Sequence, residues 1–494
     1  MHLEFIGILF LVGLGISLRL RQYLFNRSLW FDEASLSLNV VDRNVTTLLT
    51  EPLAYIQTAP PGFLVAARSM VVALGPSDWV LRLVPFIAGV SVVLLSVVVA
   101  RRELTSTVGR WTFVGLVSLS PVLIYYSSEF KQYSSDAFAA LAIFVAFSSR
   151  SSPYGTLLLA GTGFVALACS LPAIFVAGPA GFLLMYEAVR SRRYKQLLFV
   201  GLTWLAGAAL HGAYISQAGT HHEFMMAWWR EHDGFPHSPP NSAADLLWYP
   251  TALLNFIYMA FKTQAVAVPG SNKALSDPVG LALVIAVAAS LALAFIRRRP
   301  PDLLAAAAIL LTLIAAAFQI YPFSSRLLLF LVPLAFFTMA SAIDMLSELY
   351  WVAASFCALL LFRVMAPVAL EVLVEPRAPL ATNFKEALHI VAQNSISGDA
   401  LTIEPWSGRV FEFYRRFDAP KLPTFEVDNG EAAYSMLERA KSEGYHRIWY
   451  LETSPVDPSA AHLIEEVGDK TPIVFTWRRG RTRLVLFDFA ARPQ

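Results

Sequence analysis

The sequence predicts a polytopic α-helical membrane protein with a small α/β domain at its C-terminal end. The chain has 494 residues, of which 56% are hydrophobic and 15% are charged, and its mean hydropathy is +0.54. Soluble globular chains carry about 25% charged residues, so this composition excludes that class. Many separate apolar runs approach the length of about 17 to 25 residues that a helix needs to cross a bilayer. The net charge of +2 gives no indication of nucleic acid, and no such partner is expected.

About eleven transmembrane helices are predicted from the apolar runs, and the cationic loops between them give an orientation. Cytoplasmic loops are enriched in Lys and Arg, so we place those loops inside and the N-terminus with them. Two further apolar stretches, 60–75 and 246–264, are interpreted as interfacial helices, because counting them as spans would move later cationic loops outside. Arg19 and Arg21 at the outer end of helix 1 oppose this orientation, and an even helix count with a cytoplasmic tail is the alternative. The helices are expected at about 3–21, 84–100, 111–127, 134–149, 154–170, 172–188, 197–215, 279–296, 303–320, 327–345 and 349–366.

Residues 1–370 are assigned to the membrane domain and residues 371–494 to an extracytoplasmic α/β domain. The tail carries charges throughout and has short alternating elements, and about 120 residues suffice for a core of its own. It contains no phosphate-binding loop and no ligand set with metal spacing. The outer loops are expected at about 22–83, 128–133, 216–278 and 321–326. In the tail, helices are expected at about 383–393, 430–442 and 460–466, and strands at about 400–403, 447–451, 473–477 and 482–489.

Two adjacent carboxylates, Asp32 and Glu33, follow the first helix within the stretch Trp30-Phe31-Asp32-Glu33-Ala34. The flanking aromatics are typical of a bilayer interface, where an isolated carboxylate beside hydrocarbon is costly and is usually paired or functional. The alternative is that Asp32 caps a short helix that begins at Ala34. With the predicted topology, further polar residues collect at the same membrane face. They are Gln57, Arg82, Glu129, Lys131, Tyr133 and Arg326, with His221 and His222 in a later outer loop.

Carboxylates and cations interleaved beside an interfacial region suit a reaction whose donor is a lipid-linked phosphate. A phosphate leaves without needing a proton, so the reaction requires a carboxylate that takes the proton from an acceptor hydroxyl. It also requires fixed cations that stabilise the charge growing on the departing phosphate. Asp32 fits the first role, and the candidates for the second are Arg82, Lys131 and Arg326.

Each of these residues also has a structural interpretation. Arg82 and Arg326 could be snorkelling anchors at helix ends, and Glu129 with Lys131 could be an exposed loop pair. The histidines within 221–237 could bind a divalent metal, but no ligand spacing supports this, so neither a metal nor another cofactor is expected. For the whole chain, the main alternative is a transporter or flippase of lipid-linked sugars, which the clean apolar runs and the lack of two similar halves do not favour. A scaffold that keeps the fold without activity is a third interpretation.

The ordered set of motifs resembles membrane glycosyltransferases of the GT-C fold, and more closely the bacterial branch related to protein O-mannosyltransferases and lipid A aminoarabinose transferases. The acidic motif at Asp32-Glu33 is followed by Ala59-Pro60-Pro61-Gly62 and then by Leu81-Arg82-Leu83-Val84-Pro85. Ser128-Glu129-Phe130-Lys131-Gln132-Tyr133 is similar to the second outer loop of that branch, and Arg326-Leu327-Leu328 with Pro333 to a late element. The resemblance covers roughly residues 20–345 in order, and the tail domain is also similar.

This resemblance implies inverting transfer of a hexose or pentose from a polyprenyl-phosphate donor, at the extracytoplasmic face of a bacterial inner membrane. The acceptor hydroxyl belongs to a glycolipid, a cell-envelope glycan or a protein. The family's acidic base corresponds to Asp32, with Glu33 beside it. The chain departs from the family at Ala59, where His or Lys is frequent, and at Lys131, where Arg is frequent and binds with two prongs. The expected substrate-orienting residues are Glu129, Tyr133, Gln57, His221 and His222.

Overall fold

The structure is a computed structural model of the chain, and it describes residues 2–217, 219–237, 243–262, 278–376, 383–417, 422–426, 433–453 and 471–490. The chain divides into two compact units. The membrane unit comprises Met1–Phe25 and Arg43–Arg377, and the tail unit comprises Asn26–Asp42 and Ala378–Gln494. The division after residue 377 lies close to the boundary predicted at 370. Residues 26–42, which the sequence places in an outer loop of the membrane domain, belong instead to the tail unit.

Helices make up most of the described chain, and their bounds follow the predicted apolar runs. In chain order they are α1 (His2–Leu24), α2 (Phe31–Asp42), α3 (Val45–Thr50), α4 (Pro61–Leu74), α5 (Asp78–Leu81), α6 (Leu83–Glu103), α7 (Thr107–Leu119), α8 (Pro121–Tyr126), α9 (Tyr133–Ser148), α10 (Gly155–Cys169), α11 (Ile174–Ser191), α12 (Tyr194–Gln217), α13 (Gly219–Glu231), α14 (Trp248–Lys262), α15 (Pro278–Arg297), α16 (Pro300–Ala317), α17 (Val332–Leu349), α18 (Trp351–Val374), α19 (Phe384–Asn394), α20 (Pro405–Tyr414) and α21 (Ala433–Ser442). Short 3₁₀ helices cover Leu171–Ala173, Ala243–Leu247 and Ser325–Leu331.

Every apolar run that was expected to cross the membrane is helical. Within the described ranges, eight helices are long and apolar enough to span a bilayer: α1, α6, α12, α15, α16, α18, and α11 and α17 with the 3₁₀ helices before them. The helices α4, α9 and α10 are apolar but shorter. The stretches interpreted as interfacial form α4 and α14. The number of helices that cross the membrane stays a prediction.

The third predicted span, expected to be continuous over 111–127, was wrong in one respect, because a break divides it into α7 and α8. Proline has no backbone N–H, so Pro121 cannot donate to the carbonyl four residues earlier, that of Val117. Ser120 takes an extended conformation, and α8 starts anew at Pro121. The sequence Ser120-Pro121 therefore ends one helix and begins the next within a single apolar run.

Opposite charges hold the two ends of α7. At its N-terminus, the buried carboxylate of Asp344 accepts hydrogen bonds from the backbone N–H groups of Thr105 and Ser106, at 3.0 and 2.7 Å. At its C-terminus, the fully buried Arg19 of α1 donates to the carbonyls of Val117 and Ser118, both at 3.0 Å. A helix has unsatisfied N–H groups and positive dipole at its start, and unsatisfied carbonyls and negative dipole at its end. Both charges therefore match the end of α7 that they contact.

This contact also explains the arginine that opposed the predicted orientation. The orientation rule counts cations in loops, whereas Arg19 is buried against backbone carbonyls inside the membrane unit. The close approach that allows this contact occurs at Gly15, where an added Cβ would lie 2.7 Å from the Cβ of Ser118. Arg19 thus belongs to the packing of α1 on α7 and carries no information about sidedness.

We expect Arg19→Met to destabilise the membrane unit, because the substitution keeps the apolar stem but removes the donors to the two carbonyls. Each buried carbonyl that loses its donor costs about 1–3 kcal/mol. The thermal unfolding temperature of the protein in detergent measures the effect. Arg21→Met is the control, because Arg21 is partly exposed and its contact with the carbonyl of Leu373 is long, at 3.4 Å. Equal unfolding temperatures of the two variants would contradict this account of Arg19.

The tail unit contains a five-stranded sheet with strand order β2-β1-β3-β5-β4. The central strands β1 and β3 pair in parallel, and β3, β5 and β4 continue antiparallel. Alternate apolar residues such as Ile448, Tyr450, Val485 and Phe487 are buried and pack with Ala400 in one core. The strands are β1 (Asp399–Ile403), β2 (Thr424–Glu426), β3 (Arg447–Glu452), β4 (Ile473–Arg479) and β5 (Thr482–Asp488).

The predicted α/β character of the tail is confirmed. The four expected strands and the helices expected at 383–393 and 430–442 correspond to observed elements. Two elements are additional, the three-residue strand β2 and helix α20, which begins at Pro405. The helix expected at about 460–466 lies outside the described residues.

Residues 26–42 belong to the tail unit because hydrogen bonds and helix packing join them to it. The N–H of Leu29 donates to the hydroxyl of Tyr414 at 2.8 Å, and the N–H of Lys385 donates to Ser28 Oγ at 3.0 Å. Helix α2 packs against α20. Contacts between residues more than 350 positions apart leave no periodic signal in the sequence, so the prediction did not include them.

Glu452 gives the sheet a pH-dependent stability. Burial at the end of β3 raises the pKa of this carboxyl, and the charge of Arg483, at 3.5 Å, opposes the shift only in part. A group whose pKa is raised by folding stabilises the fold below its ordinary pKa and loses that contribution as the pH rises through the folded value. Ionisation of Glu452 therefore weakens the β3–β5 pairing.

We expect Glu452→Gln to protect β3 and β5 from hydrogen exchange relative to the wild-type chain, increasingly so from pH 5 to pH 8. Comparison of both proteins at each pH by mass spectrometry removes the intrinsic pH dependence of exchange. Glu443→Gln is the control, because Glu443 is exposed in the turn before β3. If the hydrogen exchange of Glu452→Gln and of the wild-type protein differed by the same factor at every pH, Glu452 would not titrate in this range.

Candidate active site

The acidic pair at the start of α2 divides into one buried and one partly exposed carboxylate. Glu33 is fully buried, and its Oε2 lies 2.5 Å from Nη1 of Arg27 and accepts the backbone N–H of Trp30 at 3.3 Å. The carbonyl of Trp30 accepts the first helical bond, from Ala34, so Glu33 is the third residue of the helix. Its bond back to the N–H of the capping residue is half of a capping box. Glu33 therefore forms the capping bond that the sequence analysis considered for Asp32.

Asp32 is the second residue of the same helix and remains partly exposed. Adjacent helical residues project about 100° apart, so Glu33 can be buried while Asp32 is not. Both carboxylates belong to the tail unit, whereas the other predicted site residues lie in the membrane unit.

In the membrane unit, the Pro-Pro-Gly sequence sets the start of α4. Pro60 is extended at the cap position and Pro61 is the first helical residue, where a missing N–H has no cost. A Cβ on Gly62 would lie 2.0 Å from the Sγ of Cys169, so only glycine allows α4 to approach the end of α10. The ring of Phe63 then lies 5.5 Å from that of Phe130 in the second loop.

The loop before α4 and the loop between α8 and α9 also meet, through a buried polar contact. Nζ of Lys131 donates to Oε1 of Gln57 at 2.6 Å, and both residues are about 95% buried, with 5% of their surface exposed. Tyr55 and Ile56 precede Gln57 with φ of 63° and 55°, in the left-handed region that β-branched residues rarely adopt. Such backbone strain persists only where the surrounding structure imposes it and is common at functional sites. The strained turn fixes the position of Gln57 opposite Lys131.

Glu129, Tyr133 and Arg326 lie around a fourth residue, Tyr126. Glu129 is buried, and Tyr126 interacts electrostatically with both Glu129 and Arg326. The rings of Tyr126 and Tyr133 are 5.3 Å apart, edge to face, and the guanidinium carbon of Arg326 lies 5.7 Å from the centre of the Tyr133 ring. Arg326 itself is partly exposed. The structure therefore brings these predicted residues together in one polar cluster, which also includes the loop of Lys131.

Arg82 occupies the junction between α5 and α6 and is 1% exposed. Tyr23 lies within its electrostatic reach and donates its hydroxyl to the carbonyl of Trp79 at 2.8 Å. A cation at the start of a helix is opposed by the helix dipole, which favours an anion there. A burial this complete does not fit a snorkelling anchor, whose charged end reaches water.

The two histidines lie in α13, but their side chains, at positions 221 and 222, are outside the described part of the structure. No group of three or more His, Cys, Asp or Glu residues that could hold a metal occurs within the described residues. The expectation of a reaction without a metal stays a prediction.

Two polar residues of this region were missed. Tyr126 links Glu129 to Arg326, and Asp136 is buried in the first turn of α9, in electrostatic contact with Tyr321. Asp136 had a signal, because a carboxylate within an apolar helix is rare and usually functional. Tyr126 had no sequence signal that distinguishes it from the aromatic residues common at a membrane interface.

Solved structures with the same architecture were found by comparison of the folds. No family model matches the sequence, and a search of curated proteins finds no match. The structure is similar to ArnT from Cupriavidus metallidurans in the apo state, with a TM-score of 0.53, 14% identity and coverage of 98% of this chain and 99% of that one. It is similar to the same protein bound to undecaprenyl phosphate, with a TM-score of 0.52, 13% identity and the same coverage.

A third similar structure is the archaeal oligosaccharyltransferase AglB from Archaeoglobus fulgidus, in complex with an inhibitory peptide and a dolichol-phosphate. Its TM-score is 0.51 at 12% identity, with 90% of this chain and 69% of that chain covered. At such low identities the similarity establishes the fold, which the motif order had predicted. The chain is a polytopic helical membrane protein with the GT-C fold.

Proposed function

We propose that the protein is an inverting glycosyltransferase that moves a sugar from a polyprenyl-phosphate donor to an acceptor hydroxyl at the extracytoplasmic membrane face. The observation that carries the proposal is the buried contact of Lys131 with Gln57, in the loop that also carries Glu129. Tyr126 interacts electrostatically with both Glu129 and Arg326. Solved proteins of this fold support it, because ArnT was solved with undecaprenyl phosphate and AglB with a dolichol-phosphate.

Lys131 is proposed to bind the donor phosphate. A buried ammonium in an apolar unit is costly, so its retention in such a place indicates a function. Gln57 contributes a neutral oxygen that orients the ammonium, and Lys provides a point charge that suits a phosphate oxygen. Transfer increases the negative charge on the phosphate as the glycosidic bond breaks, so a fixed cation stabilises the transition state more than the ground state.

Arg326 and Arg82 are proposed to assist in binding the phosphate. Arg326 is partly exposed, and its guanidinium carbon lies 5.7 Å from the centre of the Tyr133 ring. Arg82 is the residue that precedes α6, at the positive end of the helix dipole, so the dipole and the guanidinium both attract an anion there. The proposed substrate-orienting groups are Gln57, Glu129, Tyr133, His221 and His222.

Asp32 is proposed to be the general base. Its carboxylate takes the proton of the acceptor hydroxyl while that oxygen forms a bond to the anomeric carbon. The bond from this carbon to the phosphate oxygen breaks, and the phosphate leaves with the electron pair. Glu33 is less suited to this role, because its carboxylate is buried and bound by Arg27 and the N–H of Trp30. We assign to Glu33 the positioning of the helix start.

We expect Asp32→Asn to abolish sugar transfer and to leave the binding of undecaprenyl phosphate unchanged, because the amide keeps the shape but cannot accept the proton. Turnover is measured with a panel of undecaprenyl-phosphate-linked hexoses and pentoses, as release of undecaprenyl phosphate in the presence of a cell-envelope extract that supplies glycolipid, glycan and protein hydroxyls. Glu51→Gln, an exposed carboxylate of the same loop region, is the control. An Asn variant with wild-type turnover would remove Asp32 from the mechanism, and a wild-type protein that consumes no donor would contradict the proposed function.

Lys131→Met should weaken the binding of undecaprenyl phosphate by about tenfold to a hundredfold, the loss expected for one hydrogen bond to a charged group. Lys131→Arg should retain most of the affinity, because the positive charge remains. Titration of the purified protein with undecaprenyl phosphate gives the Kd. Lys195→Met, at an exposed lysine, is the matched control. Equal Kd values for Lys131→Met and this control would show that Lys131 does not contact the phosphate.

A further inference from the structure

We propose that the C-terminal α/β domain positions the catalytic carboxylate, and that Tyr414, Lys385 and Arg416 are the positioning residues. The proposal rests on the proposed function in one respect, the role of Asp32 as base. It gives the tail domain a task in the reaction, and it concerns only contacts within the tail unit, to which Asn26–Asp42 belongs.

The loop before α2 is fixed by Tyr414. The N–H of Leu29, a fully buried residue, donates to the Tyr414 hydroxyl at 2.8 Å. The Tyr414 ring is itself held in the domain, edge to face with Phe413 at 5.2 Å and stacked near Phe384 at 6.1 Å. The bond therefore ties a point three residues before Asp32 to the rigid core of the tail.

Lys385, at the start of α19, fixes the same loop at two more points. Its backbone N–H donates to Ser28 Oγ at 3.0 Å, and its Nζ donates to the carbonyl of Asn26 at 2.7 Å. Three hydrogen bonds thus join residues 26, 28 and 29 to the tail, which is a denser attachment than packing of an apolar helix requires.

Arg416 holds the other end of α2. Its guanidinium forms a two-pronged ion pair with the carboxylate of Asp42, the last residue of the helix. A helix of 12 residues is about 18 Å long, so the contacts at Leu29 and Asp42 restrain its direction as well as its position.

Inside the segment, the buried pair of Arg27 and Glu33 connects the loop to the first turn of the helix. The loop and the helix are therefore connected by side chains as well as by the backbone, and the contacts with the tail domain restrain Asp32 through both. A displacement of about 1 Å of a reacting group can lower a rate by about a hundredfold, so this restraint affects the reaction directly. The tail domain thus sets the position of the base, and Asp32 itself supplies the carboxylate.

The ion pair at Arg416 distinguishes positioning from stability. Asp42 and Arg416 are both exposed, and exposed ion pairs contribute little to folding stability. If the tail domain needed only to fold, the loss of this ion pair would leave kcat almost unchanged. If it positions Asp32, the same loss should lower kcat.

The experiment uses the full-length protein and four variants: Tyr414→Phe, Arg416→Asp, Asp42→Arg, and the double variant Asp42→Arg with Arg416→Asp. We expect each single variant to lower kcat about tenfold or more, with the donor KM and the Kd for undecaprenyl phosphate unchanged. The double variant should recover part of the lost kcat, because the ion pair of positions 42 and 416 is restored with its charges exchanged while the contact of Arg416 with Glu412, at 3.6 Å, is lost. Tyr445→Phe and Arg478→Gln, which lie elsewhere in the tail unit, are the controls.

Hydrogen exchange of residues 26–42 provides a readout that does not depend on turnover, and it should increase in the single variants while α6 and α17 remain protected. Unchanged kcat in the single variants, or a double variant as slow as the singles, would overturn the positioning role. An active Asp32→Asn protein would overturn the role of Asp32 itself, so the two failures are distinguishable.

Discussion

The contacts at the two ends of α7 are the constraint on which the packing of the membrane unit depends. Helix α7 lies against α1, α6, α17 and α18, so any shift of α7 would disturb four neighbours. Pro121 creates the break after α7 and removes the donor for the Val117 carbonyl, and Arg19 supplies a replacement from another helix. Inside an apolar environment a carbonyl without a donor is costly, so the break is possible only together with the arginine.

The same cost explains why the polar residues of the candidate site occur as contacts and not singly. The pair of Arg27 and Glu33 is closed, because two opposite charges satisfy each other at 2.5 Å. Lys131 donates to the neutral oxygen of Gln57. The first contact joins the loop before α2 to the first turn of that helix, and the second joins two loops of the membrane unit.

Hydropathy and motif order predicted the helices, the α/β tail and the fold, because apolar runs and turn residues act locally. The Pro-Pro-Gly start of α4 was also accessible to prediction, since proline and glycine each favour one backbone position. The attachment of residues 26–42 to the tail was not, because Leu29 and Tyr414 are 385 positions apart and neither residue type indicates the other. The separate roles of Asp32 and Glu33 were equally hidden, since burial depends on the partner that packs against each helix face.

The order of the two acids, rather than their presence, determines what each can do. Helix α2 begins at Phe31, so the third helical position falls on Glu33, and only that position can reach back to the N–H of Trp30. Exchange of the two residues would place the shorter Asp side chain at the third position, where it could not span the distance to Arg27 as glutamate does. The longer carboxylate would then stand at the partly exposed position, displaced by one methylene. The order of Asp32 and Glu33 is therefore fixed by this structure, because the exchanged sequence would keep two adjacent carboxylates but not their contacts.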